Sequence, residues 1–463
     1  MFKDTNQKEG FELFIDDFSF TFVRKMKHWA WILIFLIFQL NFFPQSDSLK
    51  LPFAIADEKR LSEEDLAHKR EGFSITGVPQ LSSDPVNGFG YGAEGMLYYN
   101  GHKSDPFFNY TPYRRKLSLA LFNTTRMQNE AVLGLDMPYI FNSKWRVRME
   151  GIFENDPNML YFGISQSSLN PLVNPQSGLG YNNYENYLGS LTGNYSKYNR
   201  FIEKNNVSLG LSAEHSFFHS KMRTLLGFGF SSIGIATFPG NALLVQESQE
   251  GIAKGLGRWT VCIFQSGLIY DTRDLESDPG KGIFAEVTNE ISNNVFGSQF
   301  NFDKVFFQVK WYQKLLPSLF KKMVFAARAG ISTTLGDAPF YEYQEVWSSE
   351  GGIYGIAGGA NTLRGYKQSR FVAPYIGFAN AELRTRFAQF RISKEHISLS
   401  GVPFFDIAGV GDNPSQLLGN INNYRYAYGA GLRIAWNVNT ILRFDYAIST
   451  EDHQFFFSFG HAF

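Results

Sequence analysis

The chain contains very little cysteine and no excess of charge of either sign. Cys262 is its only cysteine among 463 residues, which excludes an intramolecular disulfide, a multi-cysteine metal site and a lipoprotein cysteine at the end of a leader. The 43 Lys and Arg residues are matched by 43 Asp and Glu residues. Because a nucleic-acid-binding surface needs an excess of basic residues, nothing in the composition points to a nucleic-acid partner.

Long apolar runs and catalytic motifs are also scarce. Apart from one stretch near the N-terminus, no segment reaches the roughly 18 to 20 apolar residues that a membrane-spanning helix needs. No Gly-x-Ser-x-Gly elbow or P-loop is present. His215 and His219 would lie about 13 Å apart on a strand, too far for one metal ion. We therefore predict no catalytic residue, cofactor or metal site.

A targeting segment stands near the N-terminus. Residues 29–38 are an apolar run, with basic residues immediately before it and a polar segment, residues 45–48, after it. This is the layout of a secretory signal peptide. The acidic residues between Glu9 and Asp17 do not fit such a leader, so we expect translation to begin at Met26, within a leader region of residues 1–45.

A short charged segment follows the leader. Residues 57–72 are dense in charge, with Ser62 placed to cap a helix over residues 63–70 and Gly72 placed to end it. One short polar helix is the most that this stretch can form. We expect residues 46–85 to be a short segment ahead of the main domain, which we place at 86–463.

The main domain repeats segments in which apolar residues alternate with polar or small ones. In one segment Phe307 and Trp311 lie on one face, and Gln308 and Lys310 lie on the other. A period of two indicates β-strands. Many segments run ten residues or more, which suits a transmembrane strand better than the roughly five or six residues usual in a soluble sheet.

We count about sixteen such segments, an even number as bacterial single-chain barrels require. The predicted fold is all-β, a 16-stranded antiparallel transmembrane β-barrel with one long loop, preceded by a signal peptide and a short polar helix. The predicted strands cover residues 88–101, 114–125, 128–138, 143–156, 185–199, 203–216, 222–232, 257–270, 281–291, 298–315, 322–332, 374–389, 395–407, 424–436, 440–450 and 453–463. A soluble β-rich domain is the alternative, and strand length and the signal peptide argue against it.

One loop is much longer than a hairpin turn. About forty residues separate the predicted strands at 322–332 and 374–389, and a loop of this length is usually functional. Its glycines would let the backbone fold closely into a cavity. The motif near its end consists of Leu363, Arg364, Gly365 and Tyr366. Downstream, Glu382 and Asp406 have the parity of the polar faces of their strands.

This Leu-Arg-Gly-Tyr motif, in a long loop of a β-rich chain, resembles the sixth outer loop of the BamA/TamA superfamily of outer-membrane β-barrels, also called bacterial surface antigens. In that family the loop enters the lumen and its arginine pairs with carboxylates on the barrel wall. The resemblance implies that Arg364 pairs with Asp406, with Glu382 as second partner, through charge-assisted hydrogen bonds. It extends over residues 73–463 and implies a location in the bacterial outer membrane.

A second element of the chain is similar to the same family. Asp271, Arg273 and Asp274, followed by Gly280 and Gly282, resemble the family's strand-turn-strand element. In physical terms the two aspartates flank the arginine in a turn and can neutralise its charge. We favour this role in turn chemistry.

The C-terminal segment carries another similarity. The predicted strand 453–463 places Phe459 and Phe463 on one face, similar to the signal by which outer-membrane barrels are delivered to the assembly machinery. An ordinary lipid-facing strand is the alternative, and both can hold.

The resemblance departs from the family pattern ahead of the barrel. Family members usually carry periplasmic POTRA domains of about 75 residues, and fewer than about 40 residues are available here between leader and first strand. We expect no POTRA domain, which puts in question any role that requires periplasmic capture of client proteins.

The resemblance implies a barrel that assists insertion or translocation of proteins, or of lipids, through a seam between its first and last strands, residues 88–101 and 453–463. The expected partners are outer-membrane lipids and lipopolysaccharide, the outer-membrane assembly machinery, and client proteins or separately encoded periplasmic partners. Two alternatives stay open. One is a passive porin-like channel or structural surface antigen, and the other is a barrel enzyme that acts on lipid or peptide.

Overall fold

The computed structural model describes residues 50–84 and 86–463. The predicted signal peptide and the predicted start at Met26 lie outside the described residues. Within this described part of the chain, no helix is both long enough and apolar enough to cross a bilayer.

Sixteen antiparallel strands form one sheet that curves into a nearly closed barrel, which confirms the predicted fold class. In sheet order the strands are β1 (Phe73–Asp84), β2 (Gly88–Tyr99), β3 (Arg115–Thr124), β4 (Asn129–Met137), β5 (Trp145–Leu160), β8 (Arg200–Phe217), β9 (Met222–Thr237), β10 (Gly257–Asp271), β11 (Gly282–Ser292), β12 (Asn301–Lys314), β13 (Met323–Asp337), β16 (Tyr375–Ile392), β17 (Glu395–Gly411), β18 (Tyr424–Trp436), β19 (Thr440–Ile448) and β20 (His453–Phe459). Two small hairpins lie outside this sheet and pair β6 (Leu172–Val173) with β7 (Gly180–Tyr181) and β14 (Glu345–Ser348) with β15 (Gly352–Gly355).

Short helices occupy the segments between strands. They are α1 (Glu63–His68), α2 (Gln166–Leu169), α3 (Tyr184–Ser190), α4 (Leu243–Gln249) and α5 (Pro414–Gly419), with 3-10 turns at Asp57–Lys59, Ile140–Asn142, Gly193–Tyr195, Phe218–Ser220, Asn294–Phe296, Phe340–Tyr343 and Ile421–Asn423. Helix α1 is the predicted polar helix. Ser62 caps it by accepting the N–H of Asp65 at 3.1 Å, and the helix ends at His68, two positions before the predicted end.

One predicted strand was wrong and one strand was missed. Residues 185–199 contain α3 instead of a strand, because the Asn183 side chain accepts the N–H of Asn186 at 3.0 Å and starts a helix. Strand β1 was missed because Gly77 and Pro79 interrupt its alternation. Proline is tolerated there because, among the described residues, β1 pairs only with β2, and its other edge needs no N–H donor. The two errors cancel in the count of strands.

The alternation of side chains separates lumen from outer surface. On β12, Lys304, Gln308 and Lys310 are buried inside the barrel, whereas Phe307 and Trp311 are exposed on its outer face. The lumen is thus lined by polar and charged groups, and the apolar face is left for lipid.

The long loop, residues 338–374, folds back into the barrel, and we call it the lumenal loop. Its Leu363 and Tyr366 are fully buried in a cluster with Phe378 of β16. We call the barrel end from which this loop departs the loop end. At the opposite end, the strap end, residues 53–70 lie against the turns of the barrel, and we call this segment the strap.

Candidate functional site

Arg364 of the lumenal loop is fastened to the barrel wall. Its Nε and Nη2 donate to the two carboxylate oxygens of Asp406 on β17, at 2.7 and 2.8 Å. Its main-chain N–H donates to the same carboxylate at 3.2 Å. Both side chains are completely buried. A bidentate pair of this kind fixes both the position and the orientation of the loop.

Two further carboxylates converge on the same guanidinium. Nη1 of Arg364 donates to Glu382 on β16 at 2.8 Å and to Asp445 on β19 at 2.9 Å. Asp445 was not among the predicted partners, although its place on the polar face of its strand was visible in the sequence. Arg364 therefore ties the loop to three separate strands of the wall.

More arginines complete this charge network. Arg433 donates to Asp445 at 2.6 Å and to Glu382 at 3.1 Å, and Arg384 donates to Glu382 at 2.9 Å. Arg443 lies 3.8 Å from Asp445. Four guanidinium groups thus surround the three carboxylates. Removing a single member would leave buried charges uncompensated.

The remaining motif residues hold the loop against the last hairpin. Gly365 has φ +93, and its carbonyl accepts the Ser449 hydroxyl at 2.6 Å. A side chain at this position would meet the backbone of Ile448 at 3.1 Å. The Tyr366 hydroxyl is 2.9 Å from that of Thr450. The motif therefore contacts the turn between β19 and β20.

The tip of the lumenal hairpin reaches the far end of the barrel. Glu350, between β14 and β15, accepts from Nη1 of Arg273 at 3.2 Å and from Nζ of Lys310 at 2.9 Å. Burial alone would raise the pKa of Glu350, but Arg273 and Lys310 hold it well below its usual range. The carboxylate is therefore charged, and the loop is anchored at both ends of the lumen.

The predicted motif of Asp271, Arg273 and Asp274 stabilises the turn between β10 and β11 and also binds Glu350 of the lumenal loop. Asp274 accepts the N–H groups of Gly280 and Lys281 at 2.8 and 3.2 Å, which is turn chemistry. Gly282 has φ +111. Arg273 is paired at 3.0 Å with Asp271, and with Glu350 in the loop. Its contact with the loop was not predicted, because 77 residues separate the two partners.

The C-terminal residues do not continue the last strand. Strand β20 ends at Phe459, and Gly460, with φ +75, turns the chain into the lumen. Phe463 is buried in a cluster with Tyr312, Val324, Ala326 and Ala462. Nη2 of Arg384 donates to its main-chain oxygen at 2.8 Å. The predicted strand to residue 463, with Phe459 and Phe463 on one face, was wrong for this reason.

The edges of the sheet are β1 and β20, so the predicted seam position at residues 88–101 was wrong by one strand. Among the described residues, no backbone ladder joins these two edges. At the strap end β1 instead faces β19, where the hydroxyls of Thr76 and Thr440 lie 2.9 Å apart. The Tyr98 hydroxyl of β2 donates to the carbonyl of Asn439 at 3.2 Å. The inward turn of the chain after Phe459 accounts for this arrangement.

A cavity of about 450 Å³ lies beside this junction. Its lining includes Tyr98 from β2, Ile441 from β19, Phe459 from β20 and Glu350 from the lumenal loop. The cavity therefore extends from the loop tip to the strands that flank the junction.

Two family models match the chain. Residues 51–114 match a domain of unknown function, DUF5982, and residues 116–463 match the Omp85 superfamily domain. The second match covers well over half of the sequence. The chain belongs to the Omp85 superfamily. This confirms the predicted relationship and locates the protein in the bacterial outer membrane.

Three solved structures are similar to the chain, and the first of them supports the barrel fold. BamA from Haemophilus ducreyi lacking POTRA domains 1-3 has a TM-score of 0.50 at 15% identity, over 84% of this chain and 70% of that one. CdiB from Escherichia coli has a TM-score of 0.47 at 10% identity, over 83% of this chain and 60% of its own. CdiB from Acinetobacter baumannii has a TM-score of 0.44 at 10% identity, over 84% and 60%. No curated protein sequence matches the chain.

Omp85 barrels are transporters and insertases, not enzymes, and BamA-like members act with the outer-membrane assembly machinery and client proteins. The site residues described above lie in the lumen and at its two ends. They are structural groups that set the position of the loop and of the edge strands.

Proposed function

We propose that this barrel assists the insertion or translocation of proteins through a seam between β1 and β20, without catalysis. The observation that carries the proposal is the absence of a backbone ladder between these edges in the described part of the chain. Unpaired backbone groups in lipid cost several kcal/mol each. A strand of a client protein can supply their missing partners, as a free sheet edge readily accepts a new strand.

The surroundings of the seam support this role. The cavity lined by Tyr98, Ile441 and Phe459 gives polar groups of a client a route between the lumen and the edges. Outer-membrane lipids, including lipopolysaccharide, border the same edges and are a second class of cargo. In this proposal, separately encoded periplasmic partners deliver client proteins to the barrel.

The lumenal loop braces the seam in this proposal. Arg364 is held by Asp406, Glu382 and Asp445, and Tyr366 contacts the turn of the last hairpin at Thr450. A loop fixed at these points sets the position of β19 and β20 relative to the wall. Breaking the charge network would release the loop and with it the hairpin of β19 and β20. The network therefore opposes opening of the seam.

A crosslink at the junction tests the proposal. Thr76→Cys and Thr440→Cys, combined with Cys262→Ser, replace two hydroxyls that lie 2.9 Å apart on β1 and β19. The control pair, Ser208→Cys and Ser231→Cys, replaces hydroxyls 2.8 Å apart on β8 and β9, which already form a ladder. We expect the oxidised junction pair to lose folding of client barrels in lipid vesicles and to regain it with reductant. The control pair should stay active in both states.

Full activity of the oxidised junction pair would refute an opening seam. It would leave a barrel with a closed wall, such as a porin-like channel or a structural surface antigen. Conductance in planar bilayers that increases when the lumenal hairpin, residues 345–355, is removed would then identify the channel.

A further inference from the structure

The strap is attached around the strap end of the barrel, which faces the periplasm if the lumenal loop corresponds to the sixth outer loop that it resembles. The N–H of Ala56 donates to the carbonyl of His219, between β8 and β9, at 2.9 Å. Further along the strap, His68 stacks on His396 of β17 with ring centroids 4.0 Å apart. These contacts lie on different sides of the barrel, so the strap crosses its mouth.

Leu61 marks the middle of this crossing. Its N–H donates at 2.8 Å to the carbonyl of Asn109, after the second strand of the sheet. Its side chain packs in one cluster with Leu275, after the eighth strand, and Val438, after the fourteenth. Around a barrel of sixteen strands these turns are separated by six, six and four strands, so a residue that reaches all three lies over the mouth. Leu61 is 3% exposed.

Lys59 connects the strap to the lumenal loop. Its Nζ is 3.3 Å from Asp271, which also pairs with Arg273 at 3.0 Å. Arg273 in turn pairs with Glu350 at the tip of the loop. One strand-turn element thus holds the strap on its periplasmic side and the loop on its lumenal side.

The strap is docked by three buried apolar residues, Ile55, Ala56 and Leu61, and by polar contacts. None of the six residues of α1 is buried. Lys59 is buried in an ion pair, whose desolvation offsets much of its electrostatic attraction. A short segment with three buried apolar side chains buries far less apolar surface than the sixteen-strand wall and opens at a lower free-energy cost. The strap therefore can leave while the sixteen strands stay paired.

We propose that the strap is a releasable plug of the periplasmic mouth, held by the Leu61 cluster and the Lys59–Asp271 ion pair, and that its displacement admits a segment of an unfolded client chain. The identity of the incoming chain rests on the proposed function. The closure of the mouth by the strap does not depend on the proposed function.

Access of a reagent to the lumen tests the plug without any client. Ser348 lines the cavity and is 2% exposed, and its replacement Ser348→Cys preserves size. In a Cys262→Ser background and in lipid nanodiscs, a charged methanethiosulfonate reagent should modify this position slowly. Adding Leu61→Asp should speed the modification at least tenfold, because a carboxylate cannot stay in the apolar cluster. Lys59→Met should give a smaller increase.

Glu63→Gln is the matched control, since its side chain is 84% exposed on the same strap. It should leave the rate unchanged. Heat-dependent migration in electrophoresis reports whether each barrel is intact. An intact barrel in which neither Leu61→Asp nor Lys59→Met speeds modification would overturn the plug. If these substitutions open the mouth but the barrel inserts no client protein, the plug proposal stands and the proposed insertase function is refuted.

Discussion

Arg364 and Asp406 are joined by two parallel N–H···O bonds of 2.7 and 2.8 Å, with no solvent exposure of either side chain. The pair connects the Leu-Arg-Gly-Tyr motif of the lumenal loop to β17. Because the bonds use the planar fork of a guanidinium, a lysine can supply the charge but not the geometry.

Replacing Arg364 should release the loop without dismantling the barrel. Leaving one member of a buried ion pair unpaired costs about 3–5 kcal/mol, and here the cost falls on loop docking, since the sixteen-strand ladder does not use this residue. We expect Arg364→Ala to make residues 338–374 susceptible to protease on intact cells, and Arg364→Lys to have an intermediate effect. Arg391→Ala, an exposed arginine on β16, is the control. Protection that is equal in all three variants would refute the anchoring role.

Asp445→Asn tests the carboxylate that sequence analysis missed. Asp445 accepts from Arg433 at 2.6 Å and from Arg364 at 2.9 Å. Its loss would leave four guanidiniums facing two carboxylates. We expect a destabilisation of about 3 kcal/mol, seen as a lower unfolding midpoint in denaturant. Asp337→Asn, in an ion pair whose side chains are 53% and 55% exposed, should cost about 1 kcal/mol or less. Equal midpoints for the two variants would contradict the network.

Gly431→Ala tests the space around the same carboxylate. A Cβ at Gly431 would lie 2.0 Å from Oδ1 of Asp445 and 2.5 Å from Nη1 of Arg433, whereas at Gly401 it would meet nothing within 4 Å. We expect Gly431→Ala to displace Asp445 and to destabilise the barrel by about 1–3 kcal/mol, as overpacking does. Gly401→Ala should be close to neutral in the same unfolding assay. An unchanged unfolding midpoint for Gly431→Ala would show that the Asp445 carboxylate can move away at no cost in stability.

Local patterns predicted the barrel because strand alternation repeats within each segment, as on β12. They also indicated Asp406, whose parity is visible in its strand. They could not select Asp445 from the other polar-face residues, because strand tilt and register decide which side chains meet across a lumen. Phe463 illustrates the same limit. Its inward position depends on Arg384, 79 residues away, and on a turn at Gly460.

The strap should dock more tightly as pH rises above neutrality. Nζ of Lys69 donates to the carbonyls of Phe108 and Thr111 at 2.5 and 2.6 Å. Burial lowers the pKa of Lys69 from 10.5 to about 7, with Asp105 opposing the shift and Arg114 adding to it. A neutral amine retains two N–H donors, so both bonds survive loss of the proton.

The sign of the pH effect follows from where the proton binds more tightly. Between pH 7 and about 10.5, Lys69 is protonated in the released strap, where its pKa is higher, and deprotonated in the docked strap. Docking therefore releases a proton and becomes more favourable as pH rises through this window. From pH 7 to 9 the gain is about 2 kcal/mol. Burial lowers the pKa of Lys59 as well and acts in the same direction. Amide exchange of residues 53–70, corrected for the intrinsic rate, should therefore slow between these pH values. Lys69→Gln retains two N–H donors and does not titrate, so its amide exchange should change less between pH 7 and 9 than that of the unsubstituted protein. An equal change in both proteins would show that Lys69 does not cause the pH effect.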